Sequence, residues 1–236
     1  MTVWIQKTDN EIADDFLFSA YLGFKQKHYN IQFFTKPENI HYKPMDIVVG
    51  SVQDSHYILK KLGITPPNFY IPEGAESFCG RNIYKATIKA VKDKKDNGEK
   101  FFFKPVNTKE FPAQQVIDKF SFMAYPEQEL ADGMECWVSD LINIISEYRV
   151  FIINKEAVGC QYYLGDFRKY VDWNVVDNCI KSIKIQPIGW TLDFGVTDDG
   201  QTILIEANDG YSIGDYGLYP PIYVQLLEKR WRELTS

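Results

Sequence analysis

With 236 residues, 45% of them hydrophobic and 25% charged, the chain has material for one large domain or two small ones in the ordinary globular range. A net charge of −6 excludes a nucleic-acid surface as its main business, because phosphate-backbone binding depends on clustered Lys and Arg. No run reaches the roughly 20 apolar residues of a membrane span. Asp9, Glu11, Asp14 and Asp15 stand where a secretory signal needs an apolar segment, and Cys79, Cys136, Cys160 and Cys179 form no C-x-x-C pair. A cytoplasmic protein with reduced, packing cysteines is expected, binding neither membrane nor nucleic acid.

In chain order, Val3-Trp4-Ile5 and Ile31 to Phe34 read as short strands with a helix over Glu11 to Tyr21 between them. Ile47-Val48-Val49 is a buried-strand run, and Ser55 to Leu62 a helix stopped by Gly63. Thr65 to Pro72 cannot continue it, since proline lacks the backbone donor and fixes φ. A small α/β unit therefore ends near residue 75. Thr87 to Lys95 reads as a helix, Lys92 to Lys100 as a solvated turn, Phe101-Phe102-Phe103 as a strand delivering Lys104, and Glu135 to Val138 as another strand. Ile144 to Ile153 and Ala157 to Tyr163 form a hairpin around Asn154-Lys155; helices are expected at Val175 to Lys184 and Pro220 to Leu234.

The most informative stretch is Asp193-Phe194-Gly195-Val196, a turn at Thr197-Asp198-Asp199-Gly200, and Ile203 to Asn208. Asp-Gly suits a tight hairpin turn. Side chains alternate faces along a strand, so Glu206 and Asn208 share a face, and Asp193 lies on the partner strand opposite them. Two carboxylates and an amide in an apolar hairpin suit a hard cation such as Mg²⁺ better than a wet surface.

Lys104, at a strand end before Pro105, is a point charge suited to nucleotide phosphates, with Arg81 or Lys85 as a second cation. In Ser146 to Ile152 the alternation puts Glu147, Arg149 and Phe151 on one face. That charged pair reads equally as a surface salt bridge or as a guanidinium that stabilises a transferring phosphoryl group. Asp209 to Gly217 is a glycine-rich loop whose amides can line an anion site. Tyr162, Tyr163, Tyr211 and Tyr216 are the aromatics nearest this centre. His28, His41 and His56 accompany no motif.

In this order, a cation before a helix, a strand-borne lysine, E-x-R-x-F, then D-x-G and E-x-N with a glycine loop resemble the ATP-grasp superfamily. The resemblance covers Arg81 to Gly217 and is closest to small, compact members related to RimK-type ligases. It implies an α/β fold of the α+β ATP-grasp kind: an N-terminal α/β pre-ATP-grasp domain at residues 1–75, a subdomain with the phosphate-binding lysine at 76–140, and one with the metal site at 141–236. ATP would lie between the latter two, its adenine against a hinge at Val138-Ser139-Asp140-Leu141. Arg81, Lys104 and Lys109 would hold phosphates, with Glu147 also at the nucleotide. Asp193, Glu206 and Asn208 would bind Mg²⁺, Arg149 would meet an acyl phosphate, and Ser212, Gly214 and Tyr216 would belong to a substrate loop. Two departures stand out: the Lys92 to Lys100 turn is not glycine-rich, and Asp140 stands where glutamate is commoner.

The implied activity is ATP-dependent carboxylate–amine ligation of small-molecule, peptide or protein substrates, chemistry of positioning and electrostatics that needs no covalent nucleophile. The alternative is a catalytically silent ATP-binding module that regulates a protein partner. Asp193-Phe194-Gly195 also spells the kinase metal tripeptide, but no H-R-D segment or G-x-G-x-x-G loop precedes it, and no P-loop motif occurs.

Overall fold

Three short apolar runs near the N-terminus pair in parallel in this computed structural model, which describes residues 1–9, 11–12, 14–107, 110–118 and 129–236. Val3–Gln6 (β1), Ile31–Phe34 (β2) and Ile47–Val49 (β3) form a sheet of order β2-β1-β3. Helix α1, Asp15–Gln26, links β1 to β2, and α2, Val52–Lys61, follows β3. The first helix starts later than its sequence pattern predicts because Thr8 binds Glu11 through backbone and hydroxyl, closing a turn there. The second starts earlier, because Ser51 accepts from the Asp54 amide as an N-cap.

The chain divides into two compact units, Met1–Phe78 with Ile144–Ser236, and Cys79–Asn143. In the latter, Ile83–Thr87 (β4), Phe101–Pro105 (β5), Gln114–Val116 (β6) and Glu135–Ser139 (β7) make an antiparallel sheet of order β4-β7-β5-β6. Helix α3, Ile88–Asp96, packs its Ile88 and Val91 with Phe101, Phe103, Cys136 and Val138. Neither β4 nor β6 stands out in the sequence. The first is half exposed, and the second has only three residues and buries a glutamine, so apolar alternation is nearly lost in both. Thr87 is the N-cap of α3 rather than part of it, and Lys92 to Asp96 are helical rather than a turn. Lysines are good helix formers, and Lys95 lies buried along the helix flank.

The rest of the first unit is a second antiparallel sheet of order β11-β10-β8-β9, from Ile144–Ile153 (β8), Glu156–Gly165 (β9), Gly189–Thr197 (β10) and Thr202–Asp209 (β11). Asn154 and Lys155 take φ of 52° and 69°, the pair of left-handed residues that a two-residue hairpin requires. Helix α4, Trp173–Ser182, begins two residues before its predicted start because Asp172 caps it through the Asn174 amide. Helix α5, Pro220–Thr235, packs against α1 and β3 and also against β8 and β10. The parallel sheet and the β8–β11 sheet therefore share one core around Phe24, Phe151, Tyr223 and Trp231. Gly23 admits α5 at close range: a Cβ there would lie 2.4 Å from the Pro220 carbonyl oxygen. Among the described residues no helix is long and apolar enough to cross a membrane.

Candidate active site

On β10 every residue is buried, so a charged side chain there needs compensating partners within the protein. Asp193 does so across both neighbouring strands, standing directly opposite Arg149 on β8 and Glu206 on β11. A bulge makes this register possible. Asp193 pairs with Glu206 while Phe194 pairs with Leu204, leaving Ile205 as the extra residue. Leu204 thus enters the core with Phe194 while Glu206 remains on the Asp193 face, which unbroken alternation would forbid.

Arg149 grips Asp193 in fork geometry, Nε to Oδ1 at 2.8 Å and Nη2 to Oδ2 at 2.7 Å, with the two side chains only 8% and 2% exposed. Its Nη1 donates to the Gly214 carbonyl at 3.3 Å. Three of a guanidinium's five N–H donors are thereby used, and two remain. The Asn208 amide donates to Asp193 Oδ2 and Glu206 Oε1, each at 3.2 Å. Two carboxylates on adjacent strands thus converge on one amide nitrogen. Their donor set suits a hard divalent cation: carboxylate oxygens plus an amide whose oxygen becomes a ligand once the side chain turns over. Among the described residues no group of three or more His, Cys, Asp or Glu could hold a metal, and here an amide stands in the third place.

Burial pushes the Asp193 carboxyl up to about 6, against the opposing pull of Arg149, with Glu206 and Glu147 adding to the rise. Burial also works against the Arg149 charge, but the bonds and charge of Asp193 outweigh it and hold the guanidinium above its usual value. Two tyrosines complete the surroundings. The rings of Tyr163 and Tyr216 stack with centroids 4.7 Å apart, and the Arg149 guanidinium lies 4.7 Å from the Tyr216 centroid and 5.8 Å from that of Tyr163. Burial, the Asp193 charge and a 2.6 Å bond to Glu147 keep the Tyr163 phenol protonated well above its ordinary range.

The sequence pattern sets Glu147 beside Arg149 as a charged pair; in the structure Arg149 pairs with Asp193, and Glu147 with Tyr163. Residues directly opposite on paired strands approach closer than i and i+2 on one strand, so the cross-strand partner wins.

The loop beyond β11 is anchored on the N-terminal α/β segment. Ser212 donates to the Gly50 carbonyl at 2.8 Å, Tyr211 shares a 2.6 Å bond with His56 on α2, and Asp215 accepts from Ser19 and from the Gly217 amide. Tyr216 itself adopts φ of 47°. Asp209 is not a loop residue: it ends β11 in a fork with Arg230 of α5, at 2.8 and 2.6 Å, a contact that nothing in the sequence signals. Pinned further by the Ala207 amide bonding the Tyr70 carbonyl at 2.7 Å, the segment carrying Glu206 and Asn208 is held at both flanks.

In the second unit, Lys104 lies on β5 opposite Trp137 of β7, and Lys85 of β4 lies opposite the same tryptophan. Arg81 precedes β4 and donates to the Cys79 carbonyl at 3.0 Å. Ser139 is buried at the end of β7, and its hydroxyl donates to the Asp140 carbonyl. The Asp140 carboxylate accepts from the Asn82 amide and side chain at 3.1 and 2.9 Å, joining the starts of two chain segments, and Leu141 is half-buried beyond it. Lys109 lies outside the described residues.

A family model described as an ATP-grasp domain, the second family of its clade, matches residues 78–226, more than half of the chain. No curated protein matches the chain by sequence. Solved structures align with nearly all of it. The D-alanine–D-alanine ligase of Bacillus anthracis has a TM-score of 0.56 over 99% of this chain and 96% of its own, at 13% identity. The ATP-grasp ligase PsnB, solved with a minimal precursor, has 0.51 over 97% and 99%, at 13% identity. An ATP-grasp RimK domain protein of Sphaerobacter thermophilus has 0.53 over 98% of each chain, at 11% identity. These likenesses show a common fold.

Proposed function

The chain belongs to the ATP-grasp domain family, and from that premise we propose that it is an ATP-dependent ligase that joins a carboxylate to an amine through an acyl phosphate. The observation that carries the reading is the row Arg149–Asp193–Glu206 across three adjacent strands, with Asn208 bridging the two carboxylates. A carboxylate oxygen attacks the γ-phosphorus, the bond to the bridging oxygen breaks, and ADP leaves. The amine nitrogen then attacks the acyl carbon, phosphate departs with the bonding pair, and the amine releases a proton.

Glu206 and Asn208, with Asp193, would hold Mg²⁺, which neutralises phosphate charge as the phosphoryl group transfers. Arg149, immobilised by Asp193 and the Gly214 carbonyl, directs its two remaining N–H groups at the oxyanion of the acyl phosphate. Its orientation is set before substrate arrives, so little reorganisation accompanies the reaction. In the second unit Lys104 binds phosphates, with a further cation from the Arg81 to Lys85 segment, and Ser139, Asp140 and Leu141 meet the adenine. Residues 1–75 help to form the acceptor site. The loop bearing Ser212, Gly214 and Tyr216 supports this, because it ties Arg149 to the Gly50 end of β3. The macrocyclase MdnC, of similar fold, was solved bound with a precursor peptide, and a peptide is accordingly the first substrate class to examine.

The test is ADP release from Mg-ATP in the presence of pooled amino acids and short peptides. A sustained rate that needs both a carboxylate and an amine is expected. Saturable Mg-ATP binding with no such rate under any pool would replace the ligase by a regulatory nucleotide-binding module.

A further inference from the structure

Helix α1 turns one face to the core and presents the other to solvent. Leu17, Ala20, Gly23 and Phe24 are buried where the helix packs on α5 and on the parallel sheet. Side chains at i, i+4, i+7 and i+11 form a single narrow stripe along a helix. On the outer side of α1 that stripe reads Asp14, Phe18, Tyr21, Lys25. Asp14, Phe18 and Lys25 are exposed, Phe18 by 50%, and Tyr21 is half-buried.

The two rings extend into a third. The centroids of Phe18 and Tyr21 are 6.3 Å apart, and Phe33 of β2 lies 5.8 Å beyond Tyr21 and is itself 40% exposed. β2 is an edge strand of its sheet, so no neighbouring strand covers this margin. Lys7, 5.8 Å from the Phe33 centroid, and Lys25, which donates to the Tyr21 hydroxyl at 3.1 Å, frame the row. Contiguous exposed rings within a polar frame mark a surface that meets a partner.

The ends of the stripe identify the partner. Asp14 is the N-cap residue of α1 yet makes no capping bond with its side chain; its carbonyl accepts from the Leu17 and Phe18 amides. Among the described residues neither Asp14 nor Lys25 takes part in an ion pair. The two charges are separated by about 16 Å of helix. Read from one end the order is carboxylate, ring, ring, ammonium, and reversed it is its own complement. A two-fold axis passing between Ser19 and Ala20 sets Asp14 against Lys25 of a second copy and Phe18 against its Tyr21, each contact made twice. Antiparallel helices also oppose their macrodipoles favourably. An unrelated protein would have to supply this order by chance, whereas a second copy has it by construction.

We infer that the outer stripe of α1, with Phe33 at its margin, is a two-fold interface between copies of this chain. It is isologous, since one patch meets itself. One helix and one strand margin make a small interface, so the dimer exchanges readily with monomer. The inference is independent of the ligase reading.

Sedimentation equilibrium of the full chain from about 1 μM to about 1 mM tests it. The mean mass of the parent rises with concentration from that of the monomer towards twice that value, and added salt weakens the rise. Asp14→Lys and Lys25→Glu each put two like-charge contacts across the axis and weaken the dimer about tenfold. An equal mixture of the two variants restores it, because Asp14 of one chain then faces Lys25 of the other while Lys replaces Asp14 opposite Glu. Combining both substitutions in one chain restores it too. Phe18→Ser weakens the dimer with an unchanged thermal melt, since the ring is exposed in the monomer. Restoration by mixing also demonstrates that each single variant is folded. A parent that stays monomeric throughout, single variants that dimerise like the parent, or a mixture that gains nothing over its components would each overturn the inference.

Discussion

The two four-stranded antiparallel sheets handle charge in opposite ways. In β11-β10-β8-β9, buried Arg149 and Asp193 and half-buried Asn208 and Glu206 are joined in one hydrogen-bonded network. In β4-β7-β5-β6, Lys85 and Lys104 are displayed on a face by register, with an indole rather than a carboxylate between them. A buried network is rigid but costly to break, because each member is left uncompensated when its partner goes. A displayed cation contributes little to the fold and can turn to a ligand. The first arrangement suits transition-state chemistry; the second suits capture of a polyanion.

Mutations separate these regimes. The largest effect is expected from Arg149→Met, which leaves Asp193 as a buried carboxylate without its counter-charge. Chemical denaturation should show a loss of about 3–5 kcal/mol together with loss of turnover. A variant as stable as the parent would mean that Asp193 is not held by this ion pair. Glu206→Gln should abolish Mg²⁺-dependent ADP release yet change stability by less than about 1 kcal/mol, because it relieves repulsion with Asp193 while keeping the shape. Normal turnover in this variant would remove Glu206 from the metal set.

Removing the ring that covers the guanidinium, Tyr216→Ala, should cost about 0.5–2 kcal/mol in the same denaturation assay. It should also lower kcat more than it raises the KM for ATP, with Tyr216→Phe restoring both. Equal changes in kcat and KM would make Tyr216 a general structural residue. The smallest effect on the fold belongs to Lys104→Ala: a stability loss of less than about 1 kcal/mol, although nucleotide affinity drops. Should Lys104→Ala unfold as readily as Arg149→Met, the contrast between the sheets would be lost.

Much of the site is legible without coordinates. Period-two alternation puts Glu206 and Asn208 on one face, the Asp-Gly turn places Asp193 on the neighbouring strand, and Asn154-Lys155 marks the β8–β9 hairpin. What escapes has identifiable causes. Arg149 and Asp193 are 44 residues apart and meet only because β10 inserts beside β8 rather than beside β9, the strand before it in the chain. The bulge at Ile205 hides in an unbroken apolar run. Strands β4 and β6 are hard to find because a half-exposed strand, and a three-residue strand that buries Gln114, carry almost no hydrophobic period. The early starts of α2 and α4 trace to Ser51 and Asp172, capping residues whose effect depends on a single hydrogen bond rather than on any apolar spacing.

By itself the sequence determined which residue types occur at which spacing, and so the hairpins, the order of the motifs and the family they resemble, because local backbone geometry translates spacing directly into shared faces. Only the tertiary structure decided the partners: that Arg149 locks onto Asp193 and not Glu147, that Asp209 is taken by Arg230, and that Lys85 lines up with Lys104 across Trp137. Those choices depend on which strands lie side by side, and strand order is set by the burial of the whole chain, which no local pattern encodes.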